Sequence, residues 1–147
     1  PSEHRKGTNM RGECICGAVK ITIPDISEVA VCHCATCRRW GGGPLFTVDH
    51  DGKLEIEGEE NISEYQSSDW AERAFCSKCG SHLFYHLKFH DHFALSAGLF
   101  QDVPLKKISQ QIFIDQKPDF YELANDTPKL TGEEAFAAFE ASNSEED

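Results

Sequence analysis

Hydrophobic and polar positions alternate with a period of two along most of this chain, the signature of half-buried strands. Residues 12–23, GECICGAVKITI, place Ile15, Val19, Ile21 and Ile23 on one face and Cys14 and Cys16 on the other, and Pro24-Asp25 ends the run. Val29 to Val31 reads as a short strand entering Cys32, and Ala35 to Trp40 as one helical turn stopped by Gly41-Gly42-Gly43. Leu45 to Val48 and Lys53 to Glu57 flank His50-Asp51-Gly52, where Asp-Gly is a strong hairpin signal. Further strands are predicted over Ile62 to Gln66, Trp70 to Phe75, His82 to Phe89, Phe93 to Ala97 and Gln111 to Ile114. Near the end, Thr131 and Glu134 form a capping box ahead of Phe136 and Phe139, which share a helical face with Ala135 and Ala138. The predicted class is mainly β with a short C-terminal helix. It is read as one domain over residues 12–141, with a flexible N-terminal segment, 1–11, and an acidic tail, 142–147.

Composition narrows the function. With 39% hydrophobic and 10% aromatic residues the chain is too apolar for disorder, and 147 residues suit a single domain that folds without obligate assembly, as a monomer or weak homodimer. Fourteen basic against 25 acidic residues give a net charge of −11, which disfavours nucleic acid. No window approaches the ~18 consecutive apolar residues of a membrane span. The first ten residues, PSEHRKGTNM, lack an export-signal core, so the expected compartment is the cytosol and no membrane partner is expected.

Seven cysteines lie within the first 79 residues, as Cys14-x-Cys16, Cys32-x-Cys34-x-x-Cys37 and Cys76-x-x-Cys79. An odd number in such tight groups points to metal or redox chemistry rather than a disulfide framework. Two thiolates at i and i+2 of a strand lie about 6.5–7 Å apart and can converge on one ion. A Cys-x-x-Cys turn does the same, with Gly80 letting the backbone fold back beneath the sulfurs. Four thiolates close a tetrahedral structural site and three leave a position open, so seven divides into four plus three. Spacing alone leaves open which four, and a ribbon pairing Cys34-x-x-Cys37 with Cys76-x-x-Cys79 is one solution. A thioredoxin-type role for Cys34 and Cys37 would require a βαβ context that the strand pattern lacks.

The series Gly12-Glu-Cys14-Ile-Cys16-Gly17-Ala-Val19, Cys32-His33-Cys34-Ala-Thr-Cys37-Arg38-Arg39 and Phe75-Cys76-Ser-Lys-Cys79-Gly80-Ser81 resembles the glutathione-dependent formaldehyde-activating enzyme family, which includes centromere protein V type proteins. That resemblance implies a β-tent fold with a structural zinc on Cys14, Cys16, Cys76 and Cys79 and a second, open zinc site on the catalytic residues Cys32, Cys34 and Cys37. It also implies a carbon–sulfur lyase, with glutathione or another small thiol and an aldehyde as partners: a zinc-held thiolate attacks formaldehyde to give S-hydroxymethylglutathione. Where family members often carry His-Ile and then Pro-Trp, this chain has Gln111-Ile112 and Pro118-Asp119-Phe120.

Arg38 and Arg39 follow the second cysteine group and are candidates to meet a carboxylate of the tripeptide, against the plainer reading of solvated surface. Strand alternation points His33 away from the metal, and His82, His86, His90 and His92 read as packing and surface. Trp40 and Trp70 read as core or pocket wall. The rival to an enzyme is a noncatalytic zinc-stabilised binding module or scaffold, because metal sites can persist while chemistry changes.

Overall fold

The structure is a computed structural model that describes residues 9–101, 103 and 105–146, with side chains described as far as residue 141. Two β-sheets share one hydrophobic core. The smaller sheet pairs β1 (Asn9–Glu13) with β2 (Lys20–Pro24) in an antiparallel hairpin, and β5 (Glu55–Glu57) adds along β2 with Ile56 opposite Ile21. Met10 on β1 and Ile21 and Ile23 on β2 alternate inward. The single strand read over residues 12–23 is therefore two strands joined by a turn. Gly17, at φ 79°, donates its N–H to the Cys14 carbonyl at 3.1 Å and closes that turn, leaving Ile15 88% exposed at its tip.

The larger sheet has eight strands in the order β11-β10-β3-β4-β9-β8-β7-β6. They are β3 (Glu28–Cys32), β4 (Leu45–Asp51), β6 (Ile62–Ser68), β7 (Ala71–Cys76), β8 (His82–Leu87), β9 (His92–Ser96), β10 (Lys107–Ile112) and β11 (Lys129–Leu130). Strand β10 runs parallel to β3 and β11, and the other pairs are antiparallel. Between β3 and β4 lies α1 (Ala35–Gly41), ended by Gly42 in the left-handed conformation at φ 86°. The mainly β class with a short C-terminal helix holds, as does each strand from Ile62 to Ala97 within a residue or two.

Two local expectations differ. Gly52 does turn the chain at φ 95°, yet the strands on its two sides enter different sheets: β4 pairs with β3 and β9, whereas β5 pairs with β2. The Asp-Gly signal fixes a local turn, and burial of Ile56 against the small sheet decides the partner. The strand expected at Gln111 to Ile114 is β10, which begins at Lys107 and ends before Phe113, a residue at φ 57° that opens a 3-10 turn over Ile114–Gln116.

Helix α2 (Gly132–Glu146) begins with the anticipated capping box: Glu134 N–H donates to Thr131 Oγ1 at 3.1 Å, and Thr131 N–H to Glu134 Oε1 at 2.8 Å. Its backbone continues through the stretch read as an acidic tail as far as Glu146. At the other end, strand pairing begins at Asn9, inside the segment read as flexible; residues 1–8 and Asp147 lie outside the described residues. No helix among the described residues is long and apolar enough to cross a membrane.

Candidate metal centres

The cysteines gather into two groups. Sulfurs of Cys14, Cys16, Cys76 and Cys79 all lie within 4.8 Å of one another, and so do those of Cys32, Cys34 and Cys37. The ribbon pairing that spacing left open is not the one the fold makes.

Two turns build the tetrad. Cys14 and Cys16 come from the β1–β2 turn, Cys76 from the end of β7 and Cys79 from the turn into β8. Gly17 and Gly80, each one residue after a cysteine, both sit at φ 79°, and Gly80 N–H donates to the Cys76 carbonyl at 2.8 Å as Gly17 does to Cys14. Cys14 and Cys16 sulfurs are 3.7 Å apart, and Cys16 and Cys76 sulfurs 3.8 Å. Those separations match the edge of a sulfur tetrahedron, about 3.8 Å for Zn–S bonds of about 2.3 Å. Val19 N–H points at the Cys14 sulfur at 3.4 Å. The Ser81 hydroxyl, 3.2 Å from the Cys79 sulfur, is foremost in holding that thiol down to about 5. The donor set and its spacing fit a closed, structural zinc site.

The triad is local in sequence. Cys32 ends β3, Cys34 is the N-cap of α1 and Cys37 sits buried in its first turn. The Cys34 sulfur accepts the Cys37 N–H at 3.3 Å. Hydrogen bonds from the Cys32 and Cys37 thiols, the Cys37 amide and the charge of Arg73 hold Cys34 far below the ordinary thiol range, while the Cys34 and Cys37 sulfurs and then burial push Cys32 up. Three sulfurs leave a tetrahedral position for a further ligand, so this donor set fits an open zinc site.

Arg73 on β7 escaped the sequence reading. It is only 5% exposed, and its Nη1 donates to the Cys37 sulfur at 3.5 Å while Nε donates to Ser67 Oγ at 3.2 Å. The guanidinium carbon lies 5.2 Å from the Trp40 ring centre and 5.1 Å from that of Tyr85, the residue directly across the β7–β8 ladder. The signal was available, because alternation along β7 puts Arg73 on the same face as Ala71.

His33 is fully buried and faces away from the triad, with Nδ1 2.8 Å from the Tyr121 hydroxyl and Nε2 2.8 Å from Gln111 Oε1. Arg38 gives Nε to the His33 carbonyl at 3.0 Å and Nη2 to the Gln116 carbonyl at 3.1 Å, and Arg39 is exposed. Gln116 Oε1 also accepts the Ala35 N–H at 2.8 Å. The segment after β10 thus clasps the start of α1, a role for Gln116 and Tyr121 that no local pattern announces.

His82 stacks on Trp40 with centroids 4.1 Å apart, and burial and then Arg73 lower its pKa. His86 stacks on Phe93 and meets Asp91 at 3.1 Å, and His92 meets Asp51 at 2.6 Å; no histidine among the described residues joins either cysteine group. A cavity of about 730 Å³ borders the tetrad through Cys14 and Ser81 and includes Arg11, His82, Ser96 and Gln101 in its wall. None of the triad cysteines lines it.

A two-sheet β domain with one closed and one open cysteine cluster, each able to hold a metal ion, defines the class of protein. The chain belongs to the glutathione-dependent formaldehyde-activating enzyme family, whose sequence model matches residues 9–116. An uncharacterized lyase of Schizosaccharomyces pombe is 34% identical over 125 residues, covering 84% of this chain and 91% of that protein. A Halomonas elongata protein provisionally named glutathione-dependent formaldehyde-activating enzyme is 27% identical over 126 residues, covering 78% and 80%. The crystal structure of a Rhodobacter sphaeroides protein superposes with a TM-score of 0.55 at 23% identity, covering 68% of this chain and all of that one, which shows the shared fold.

Proposed function

We propose that this protein is a zinc-dependent carbon–sulfur lyase of the cytosol that combines glutathione with formaldehyde as S-hydroxymethylglutathione. The observation that carries the reading is the separation of a tetrad that saturates a tetrahedron from a triad that does not. Family membership supports the substrates, as do the names of the two relatives, a lyase and a glutathione-dependent formaldehyde-activating enzyme.

When bound at the triad, zinc supplies acidification of an incoming thiol and a nucleophilic sulfur near neutral pH. The chain's own residues supply the frame. Strand β3 and helix α1 fix the three sulfurs, and the Cys37 amide holds Cys34 in place. Arg38 and Arg39 offer positive charge to the tripeptide carboxylates, Arg38 through the part of its guanidinium not bonded to backbone carbonyls. In the addition, the sulfur–carbon bond forms as the carbonyl double bond opens, and the proton given up by the thiol ends on the new hydroxyl.

The second reading, a noncatalytic zinc-stabilised module, has one observation in its favour: the cavity of about 730 Å³ borders the tetrad and not the triad. Exchange spectroscopy with ¹³C-formaldehyde and glutathione separates the two. An enzyme accelerates exchange between free aldehyde and adduct, and Cys34→Ser abolishes the acceleration while the protein stays folded. Metal-loaded wild-type protein that leaves the exchange rate at its uncatalysed value overturns the lyase reading.

A further inference from the structure

The Arg73 guanidinium is buried, and among the described residues no carboxylate pairs with it. Burying an unpaired cation is costly, and aromatic faces such as those of Trp40 and Tyr85 offset only part of that cost. Across the β6–β7 ladder Arg73 faces Tyr65, and across β7–β8 it faces Tyr85, neither of them acidic. The anionic charge within its reach is that of the cysteine triad, through Cys37.

Three thiolates around a divalent ion sum to −1, and a fourth thiolate would make −2 in a site walled by protein. Such a build-up is unfavourable at low dielectric unless a fixed cation offsets it. A guanidinium held between two rings and tied to Ser67 is already oriented, so its charge needs no reorganisation when the fourth ligand arrives. We propose that Arg73 is the internal counter-ion of the triad, a positioning residue that makes the open coordination place selective for an anionic sulfur ligand over a neutral one. This rests on the reading of the triad as an open metal site.

The test uses the full chain loaded with cobalt(II), whose visible spectrum reports the ligands of the metal. Wild-type protein is titrated with 2-mercaptoethanol and, separately, with imidazole. In Arg73→Met the apparent affinity for the thiol falls about tenfold or more while that for imidazole stays within about twofold, and Arg73→Lys, which keeps the charge, recovers most of the thiol affinity. Should Arg73→Met fail to fold, Arg73→Gln, which keeps hydrogen-bond donors without the charge, carries the same expectation. Equal losses for both ligands, or no loss for either, overturn the counter-ion role. A wild-type chain that holds one cobalt, with the amount unchanged by Cys34→Ser, overturns the metal reading of the triad and the counter-ion role with it.

Discussion

The hydroxyl of Ser81 accepts the backbone N–H of Ile15 at 3.1 Å, across 66 residues of sequence. It joins the two cysteine turns directly, in addition to any shared ion, and the same oxygen lies 3.2 Å from the Cys79 sulfur. Ser81→Ala removes both contacts in a partly exposed setting, so a loss of about 0.5–1.5 kcal/mol is expected in denaturant unfolding, with the fold retained. An unchanged midpoint would show that the turns are held by other contacts alone.

Removing one sulfur from each cluster separates their roles. A structural zinc in a small domain is worth about 10–16 kcal/mol, comparable to the whole net stability of a fold this size. Cys76→Ser is therefore expected to abolish the cooperative unfolding transition seen by circular dichroism. Cys34→Ser, in a group contained within one strand end and one short helix, is expected to lower bound zinc by one equivalent and keep that transition. Chelator treatment of the wild type reproduces the first outcome. Two variants that lose stability equally would contradict the division.

Gly58 links β5 to the 3-10 turn before β6 at φ 85°, and a Cβ there would stand 1.8 Å from the Ala18 carbonyl oxygen, just beyond the Cys14–Gly17 turn. Neither the dihedral nor the space accepts a side chain. Gly58→Ala is expected to cost at least about 2 kcal/mol, measured by thermal or urea unfolding, and to loosen the small sheet where β5 meets β2.

His92 contributes a pH dependence of its own. Burial works against its protonation, but hydrogen bonds and charges from Asp49 and Asp51 outweigh burial and raise its pKa. A raised folded pKa means that the contribution is fully present below the unfolded value of about 6.5 and is lost as pH rises through the folded one. Because Asp51 is largely exposed, the effect is at most about 1 kcal/mol. Urea unfolding at pH 6 and pH 9 should show wild-type protein losing more stability over that interval than Asp51→Asn, in which the His92–Asp51 ion pair is absent. Identical losses would remove His92 as the source.

The sequence disclosed this fold unevenly. Strand β9 follows from alternation because Phe93 and Leu95 share its buried face, β7 follows in part through Ala71 and Arg73, and the capping box at Thr131 and Glu134 announces α2 through side chains only three residues apart. The β1–β2 turn was hidden because Ile15 continues the hydrophobic period, although it is exposed; Gly17 was the only local sign of a break. Pairings that cross the chain were out of reach. Nothing near Asp51-Gly52 tells that β5 joins the small sheet, and nothing near Gln111 tells that it bonds His33 across 78 positions. The metal ligands were legible as residue types at revealing intervals, whereas Arg73 required reading a charge at an inward position as a signal rather than an exception.

An ion closing the tetrad over this long range would also make the chain tolerant of being cut. The exposed Asp51-Gly52 bend lies inside the loop that runs from Cys16 to Cys76, so a protease clip there leaves each fragment with two of the four sulfurs. With an ion in place the halves stay clamped together, helped by β4 lying along β9 and β3 along β10. Nicked protein should travel as one species on a sizing column and fall into two pieces when the ion is stripped, which makes this bend a natural point for dividing the molecule into complementing parts.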